Sequence, residues 1–153
     1  MANQDVSIRV LERKDAPVVA KLLHELLHEL AKEDGPSLAT LQRTAEDVLG
    51  SDSIDGVLAF VEDEPVGVIM LNECMAIYAG GRFGEITELY VSPEYRSKGI
   101  APMLIGAAEK IGHQKGWKRL EVGAPDQPAW NRTQRLYFLE GFEEVGPRMR
   151  KII

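Results

Sequence analysis

The sequence has little cysteine, no long apolar run and too few positive charges to balance its negative ones. Cys74 is the single cysteine, so no internal disulfide can form. The first segment, MANQDVSIRV, lacks the apolar core of a secretion signal, and both features favour the reducing cytoplasm. No stretch approaches the roughly 20 apolar residues of a membrane-spanning helix, so we expect no membrane association.

Lys and Arg total 18 residues against 24 Asp and Glu, a formal net charge of −6. A nucleic-acid-binding domain needs a basic face, so we expect no nucleic-acid partner. A negative surface instead suits a cationic partner or substrate. The 153 residues are expected to form one domain, residues 1–153. A domain of this length buries roughly two thirds of its unfolded surface and needs no disulfide.

The most specific pattern lies between Glu85 and Ala108. It begins with β-prone residues, which Ser92-Pro93 ends because proline lacks the N–H that a sheet interior needs. The basic turn Arg96–Gly99 follows. After the turn, apolar residues recur along one face of a predicted helix, at Ile100, Met103, Leu104, Ala107, Ala108 and Ile111. A strand, a tight turn and a helix are therefore predicted in immediate succession.

This turn is suited to holding phosphate. Pro102 fits only the first turn of the helix, so unpaired N–H groups are expected between about Ser97 and Ala101. The helix N-terminus carries a partial positive charge, and Gly99 allows close approach to the backbone. An ordinary strand-to-helix turn is the alternative. A Walker loop or a dinucleotide-binding fold is disfavoured, because neither GxxxxGK[ST] nor GxGxxG occurs.

Arg96-x-x-Gly99-x-Ala101 after a strand resembles the R/Q-x-x-G-x-G/A signature of the GNAT superfamily of N-acetyltransferases, which binds the acetyl-CoA pyrophosphate. The strand exit just before it, LYVSPEYR, also resembles that family. The resemblance implies an enzyme that transfers an acetyl group from acetyl-CoA directly to a primary amine, of a small molecule or a peptide, in a ternary complex. A non-catalytic acyl-CoA-binding or regulatory module on the same scaffold is the alternative. A homodimer is compatible with either.

The hydrophobic pattern predicts the remaining elements. Strands are predicted at Val6–Leu11, Val57–Val61, Val66–Leu71, Phe83–Val91 and Lys118–Gly123, with a last hairpin formed by Glu143–Val145 and Arg148–Ile153. Helices are predicted from a capping Asp15 to Gly35-Pro36, at Leu38–Leu49, after Gly99 and at Trp130–Leu139, with a loop at Pro125–Pro128. This order is the one that GNAT proteins use. We therefore expect a single-domain α/β, GNAT-like fold, with a mixed central sheet splayed at its middle and flanking helices.

The resemblance also assigns the co-substrate site. Where two central strands splay apart, backbone groups would bind the pantetheine, and an N–H near Leu89 or Tyr90 would polarise the thioester carbonyl. The pyrophosphate would bind at Ser97–Ala101. The implied cofactor-binding residues are Leu89, Tyr90, Val91, Arg96, Ser97, Lys98, Gly99, Ile100, Ala101 and Asn131.

Tyr137 is the implied general acid. Asn131-x5-Tyr137-x3-Gly141-Phe142 is similar to the GNAT segment N-x-x-A-x-x-L-Y-x-x-x-G-F, although Asn131 lies one residue closer to the tyrosine. The tyrosine of that segment commonly protonates the leaving thiolate. A phenol has a pKa of about 10 and a thiol about 8.5, a gap that the site is expected to narrow. Packing in the core is the alternative role.

Glu85 and Glu88 are the candidate general bases, because an alkylammonium acceptor must lose a proton before it attacks. In a regular strand the two side chains point to opposite faces, unless a bulge intervenes. Either carboxylate is instead compatible with orienting the substrate.

A competing motif is His24-Glu25-Leu26-Leu27-His28, which matches the HExxH pattern of zinc hydrolases. Both histidines are predicted to lie opposite the leucine stripe of their helix, facing solvent, so we expect no metal cofactor.

Overall fold

The computed structural model describes residues 5–31, 35–123, 131–146 and 148–153. Five strands form one sheet in the order β1-β2-β3-β4-β5. The strands are β1 Val6–Val10, β2 Ile54–Val61, β3 Glu64–Ala76, β4 Gly81–Val91 and β5 Leu120–Val122. The helices are α1 Ala16–Ala31, α2 Leu38–Leu49, α3 Ile100–Lys115 and α4 Asn131–Leu139. None of the helices within the described ranges has the length and apolar character that crossing a bilayer requires.

The sheet is mixed, as predicted. Strands β1 to β4 form an antiparallel meander, and β5 returns parallel to β4 after the α3 crossover. The predicted hairpin between β2 and β3 is confirmed, with Glu62 and Asp63 at positive φ in its two-residue turn. Strand β3 extends further than its apolar run suggests. It pairs with β4 from Gly67↔Val91 to Ala76↔Gly81 and so supplies a long support for the central strand.

Helices cover both faces of the sheet. On one face, α3 buries Ile100, Leu104, Ile105 and Ala108 against Val57, Ile69 and Ile86. On the other face, α1 packs Val19 and Leu22 on Leu58, Val68, Met70 and Tyr90. The side chains of β2 and β3 alternate between the two layers, as a strand with period two requires. We refer below to the α3 face and the α1 face of the sheet.

The start of α1 differs from the prediction. Asp15 does not cap the helix but ends a 3₁₀ turn, Arg13–Asp15, that leads directly into α1. Its buried carboxylate accepts two hydrogen bonds of 2.8 Å from Arg9 and one of 2.8 Å from the backbone N–H of Glu12. These contacts tie the end of β1 to the start of α1.

The predicted C-terminal hairpin is wrong. Residues 143–146 and 148–153 adopt no strand, and Pro147 lies outside the described residues, as does the predicted loop at Pro125–Pro128. A hairpin needs to bury one of its faces. In this segment Val145, Met149 and Ile152 are at least 72% exposed, because no described element covers them.

We predict that Asp15→Asn lowers the free energy of unfolding by about 1–2 kcal/mol, because it weakens a buried, charge-assisted pair whose Arg9 partner is partly solvated. The Arg9 guanidinium holds the pKa of Asp15 below its usual value. The stabilisation is therefore present above about pH 4 and is lost as the pH falls through the lowered pKa. Urea denaturation at pH 7 and at pH 3 measures it. The exposed Asp52, changed to Asn, is the control, and equal losses in both variants would contradict the assignment.

Candidate active site

A bulge in β4 places the two candidate bases on one face of the sheet. Met70 on β3 pairs with Glu88, and the next residue, Leu71, pairs with Ile86, so Thr87 is an extra residue in β4. Glu85 pairs with Asn72, two positions from Met70 on β3. Residues two apart on a strand face the same way. In a regular strand the two carboxylates would lie on opposite faces. Because of the bulge, both lie on the α1 face.

The pairing of β4 with β5 covers only Gly84–Ile86, and it ends at Ile86↔Val122. Among the described residues, none pairs with Thr87–Val91 on that side, which matches the predicted splay. Ser92 donates to Val66 on β3, so alternation directs the backbone groups of Leu89 and Val91 toward the gap. Of the two candidate oxyanion donors, Leu89 thus has the N–H that faces the gap, whereas the N–H of Tyr90 faces β3.

The basic turn closes the end of β4 and begins α3 as predicted. Ser97 and Gly99 have φ of 62° and 82°, and a Cβ at Gly99 would meet nothing within 4 Å. The helix begins at Ile100, and Met103 makes the first helical bond, to the carbonyl of Gly99 at 3.2 Å. Pro102 therefore lies in the first turn, and the N–H groups of Ile100 and Ala101 remain without a helical partner. Open space beside Gly99 and free backbone donors at a helix N-terminus fit a pyrophosphate.

The two cations of this turn have protein partners. The Arg96 Nε donates to the carbonyl of Val91 at 2.8 Å, and its Nη2 donates to Glu29 of α1 at 2.8 and 3.0 Å. Arg96 thus anchors the end of β4 to α1. The ammonium of Lys98 lies 5.5 Å from the centre of the Tyr95 ring. Phosphate contacts by either side chain stay a prediction.

Arg132 is a cation near the turn that the sequence patterns missed. It lies in the first turn of α4, and its Nη2 donates to the Ser97 hydroxyl at 2.9 Å. A positive side chain is unfavourable at a helix N-terminus, so its position there was an available signal of a role outside the helix. Asn131 begins α4, and its side chain is outside what the structure describes. Its proposed contact with the cofactor stays a prediction.

Tyr137 lies on the α3 face, 9% exposed. Gly141, at a φ of 94°, ends α4 and turns the chain so that Phe142 donates to the carbonyl of Tyr137 at 2.9 Å and packs its ring at 5.5 Å from the tyrosine ring. This is why the Gly-Phe pair follows the tyrosine at a fixed distance. Burial raises the pKa of Tyr137 to about 12. This shift is a rise rather than a lowering of the tyrosine pKa, and the narrowing of its gap to the thiol pKa in the bound complex stays a prediction.

The carboxylates on the α1 face differ in their surroundings. Burial raises the pKa of Glu88, the hydrogen bond from Thr87 opposes this rise, and the charge of Glu85 adds to it. Glu85 instead forms an ion pair with Arg148 at 2.6 Å. Burial also raises the pKa of the nearby Cys74 thiol, with the Glu85 charge as the next cause. The two carboxylates thus differ, because Glu88 has a raised pKa and Glu85 is engaged by Arg148, and the general-base role of either stays a prediction.

The residues of the HExxH motif make contacts that differ from those of a metal site. Glu25 accepts a hydrogen bond of 3.0 Å from the Tyr90 hydroxyl, and the rings of His24 and His28 are 5.7 Å apart. Within the ranges that the structure describes, no third His, Cys, Asp or Glu joins them in a cluster that would hold a metal ion. The zinc hydrolase alternative therefore rests on the motif's spacing alone.

Comparisons with known proteins identify the family of this chain. The Acetyltransferase (GNAT) family model matches residues 20–138. A thialysine N-epsilon-acetyltransferase of Caenorhabditis elegans is 27% identical over 120 residues, which are 76% of this chain and 72% of the relative. The chain belongs to the GNAT acetyltransferase family, which confirms the resemblance. It is an acetyl-CoA-dependent N-acetyltransferase rather than a member of the zinc hydrolases.

Solved structures share the fold. A ribosomal-protein-alanine N-acetyltransferase from Brucella melitensis biovar Abortus 2308 superposes with a TM-score of 0.77 at 23% identity, covering 97% of this chain and 100% of that one. Aminoglycoside N-acetyltransferase AAC(6')-Iy, in complex with CoA, gives 0.78 at 18% identity, covering 99% and 97%. The predicted α/β fold is confirmed, and within the described residues the C-terminal hairpin is a predicted element that does not form.

We predict that Gly99→Glu abolishes the rise in melting temperature that acetyl-CoA causes in the wild type, because it puts bulk and negative charge among the phosphate donors. Gly116→Glu is the matched control. Gly116 ends the same helix at a φ of 73°, also with nothing within 4 Å of a Cβ, so both variants carry the same backbone strain. A full acetyl-CoA shift in folded Gly99→Glu protein would remove the phosphate site from this turn.

Proposed function

We propose that this enzyme transfers the acetyl group of acetyl-CoA directly to the primary amine of a small cationic acceptor, within a ternary complex. The observation that carries the proposal is the arrangement around the gap beside β4. Tyr137 lies on the α3 face, Glu85 and Glu88 lie on the α1 face, and backbone groups of Leu89 and Val91 face the gap between them. Two substrates that approach from opposite faces would meet there without a covalent enzyme intermediate.

The co-substrate side is built from backbone. Acetyl-CoA supplies the activated acyl group as a thioester. The N–H groups of Ser97 to Ala101 hold its pyrophosphate, and Leu89 and Val91 pair with the pantetheine as an added strand would. The Leu89 N–H then donates to the carbonyl oxygen on which negative charge develops, which lowers the barrier to attack. Arg132 and Ser97 lie at the phosphate end of this path.

The acceptor side supplies the base. Glu88 removes a proton from the ammonium group of the acceptor, directly or through water, since its raised pKa brings it nearer to the operating pH. Glu85 attracts and orients the cation. The named relatives act on thialysine, aminoglycosides or a ribosomal protein, so each acetylates an amine, and they support an amine acceptor without selecting one. The net charge of −6 supports a cationic one.

The Tyr137 hydroxyl donates its proton to the thiolate as the carbon–sulfur bond breaks. A pKa of about 12 keeps this hydroxyl protonated throughout the working range. The thiolate is released in the same desolvated region, and burial disfavours its charge as it does that of the phenolate. This shared environment is what makes the transfer feasible despite the raised pKa.

Release of free CoA distinguishes the enzyme from a non-catalytic acyl-CoA-binding module. Thiol release is followed with acetyl-CoA across a panel of primary amines. We expect release that depends on amine, whereas stabilisation by acetyl-CoA without amine-dependent thiol would favour the binding module.

We predict that Tyr137→Phe lowers kcat by about 100-fold, in the range that general acid catalysis supplies, with acetyl-CoA affinity nearly unchanged. The ring and its contact with Phe142 are kept, so the effect isolates the hydroxyl. Because the hydroxyl ionises only near pH 12, it contributes no descending limb to the kcat profile at lower pH. Tyr95→Phe, which removes a hydroxyl that donates to Glu64 at the start of β3, is the control. Equal loss of cofactor binding and kcat would instead mean that Tyr137 only shapes the site.

We predict that Glu88→Gln lowers kcat by about 100-fold, whereas Glu85→Gln mainly raises the KM of the amine. Glu88 must be deprotonated to act, so activity falls as the pH drops through its pKa, which lies above the usual glutamate value. This acidic limb of the kcat profile disappears in Glu88→Gln. A larger kcat loss in Glu85→Gln than in Glu88→Gln would reverse the two roles.

A further inference from the structure

The C-terminal segment makes one specific contact with the acceptor side. Residues 148–153 are exposed and have no regular secondary structure. Nevertheless, the Nη1 of Arg148 lies 2.6 Å from Oε1 of Glu85. The Glu85 side chain is only 20% exposed, while that of Arg148 is 67% exposed. The long Arg148 side chain, on an irregular segment, therefore places its guanidinium against the Glu85 carboxylate. That carboxylate is largely enclosed by the sheet.

The sheet has room for this guanidinium. Gly123 follows β5, and a Cβ built there would lie 3.2 Å from Nη1 and 3.5 Å from Cδ of Arg148. Such a contact is tighter than ordinary packing, so any side chain at Gly123 would press on the arginine. The glycine thus leaves a path along which Arg148 reaches Glu85.

The neighbouring carboxylate is already neutralised by other groups. Glu121 pairs with Glu85 across β4 and β5, so both side chains leave the sheet on the same face. Glu121 accepts hydrogen bonds from Arg119 at 2.8 Å and from the Tyr78 hydroxyl at 3.1 Å. Among the described residues, Arg148 is the cation that neutralises Glu85. An acceptor cation that approached Glu85 would therefore compete with Arg148.

We propose that Arg148 is a specificity-determining residue: it occupies the Glu85 cation subsite in the free enzyme, and an acceptor with a second positive charge displaces it. This inference rests on the proposed function. Glu85 and Glu88 are paired with residues two apart on β3, which corresponds to about 7 Å along the strand at ~3.4 Å per residue. A diamine with about five carbons between its nitrogens has a similar length, with its reacting amine at Glu88 and the other at Glu85.

The test compares 1,5-diaminopentane with 1-aminopentane, which has the same chain and one charge. We expect Arg148→Gln to raise kcat/KM for the diamine about three- to five-fold, through KM, because a partly exposed ion pair opposes binding by about that much. The monoamine is expected to change little. Arg150→Gln removes an exposed charge from the same segment without touching Glu85, and we expect neither amine to respond.

A double-mutant cycle attributes the effect to the pair. In a Glu85→Gln background, Arg148→Gln is expected to have no further effect on the diamine, since the subsite charge is gone. Equal gains for both amines, or the same gain in Arg150→Gln, would overturn the proposal, because they would reflect general charge. So would a gain that persists without Glu85.

A binding measurement separates this inference from the proposed function. Calorimetric titration of CoA-saturated protein with 1,5-diaminopentane requires no turnover, and we expect Arg148→Gln to lower the dissociation constant by the same three- to five-fold. Tighter binding without acetylation of any amine would support the subsite and contradict the proposed function. Acetylation in the wild type with no change in either measurement would contradict the subsite and leave the proposed function standing.

Discussion

The one-residue bulge at Thr87 is the constraint on which the arrangement of the site depends. Without it, strand alternation would send Glu85 and Glu88 to opposite faces, and residues after Ile86 would exchange their layers. With it, Ile86 and Val91 both pack under α3, while Tyr90 packs under α1 with the two carboxylates on its side. One inserted residue thus keeps the core continuous and collects the acidic groups on one face.

The second determinant is the short pairing between β4 and β5. Pairing at Gly84–Ile86 holds the two strands together, and beyond Ile86 no described residue pairs with β4 on the side that Leu89 and Val91 face. The Val91 carbonyl is satisfied by Arg96, and the other backbone groups on this side, which are costly to leave unpaired, are available to a ligand. The α3 N-terminus continues the same surface beyond the end of β4. The fold therefore offers one continuous line of donors to an extended, phosphate-bearing cofactor.

The charged groups differ between the turn before α3 and the α1 face of the sheet. At the turn, Ser97 and Arg132 meet across α3 and α4. On the acceptor face, carboxylates dominate, and arginine side chains balance two of them, Arg119 at Glu121 and Arg148 at Glu85. An anionic cofactor and a cationic acceptor would each meet complementary charge, from opposite faces of the sheet. This separation of charge is the arrangement that the proposed direct transfer needs.

Local patterns in the sequence were enough to determine the meander, the Gly99 turn, the stripe of α3 and the Gly141-Phe142 end of α4, because each depends on residues close together in the chain. The bulge at Thr87, the placing of Asp15 and the contacts of Arg132 and Arg148 depended on the tertiary structure. Register is set by how two strands pack together, and an ion pair such as Arg148 with Glu85 joins segments that are distant in sequence. The C-terminal hairpin was predicted from two short segments on either side of the Gly146-Pro147 turn. It does not form because a strand also needs a partner and a covered face, which only the packed molecule can supply.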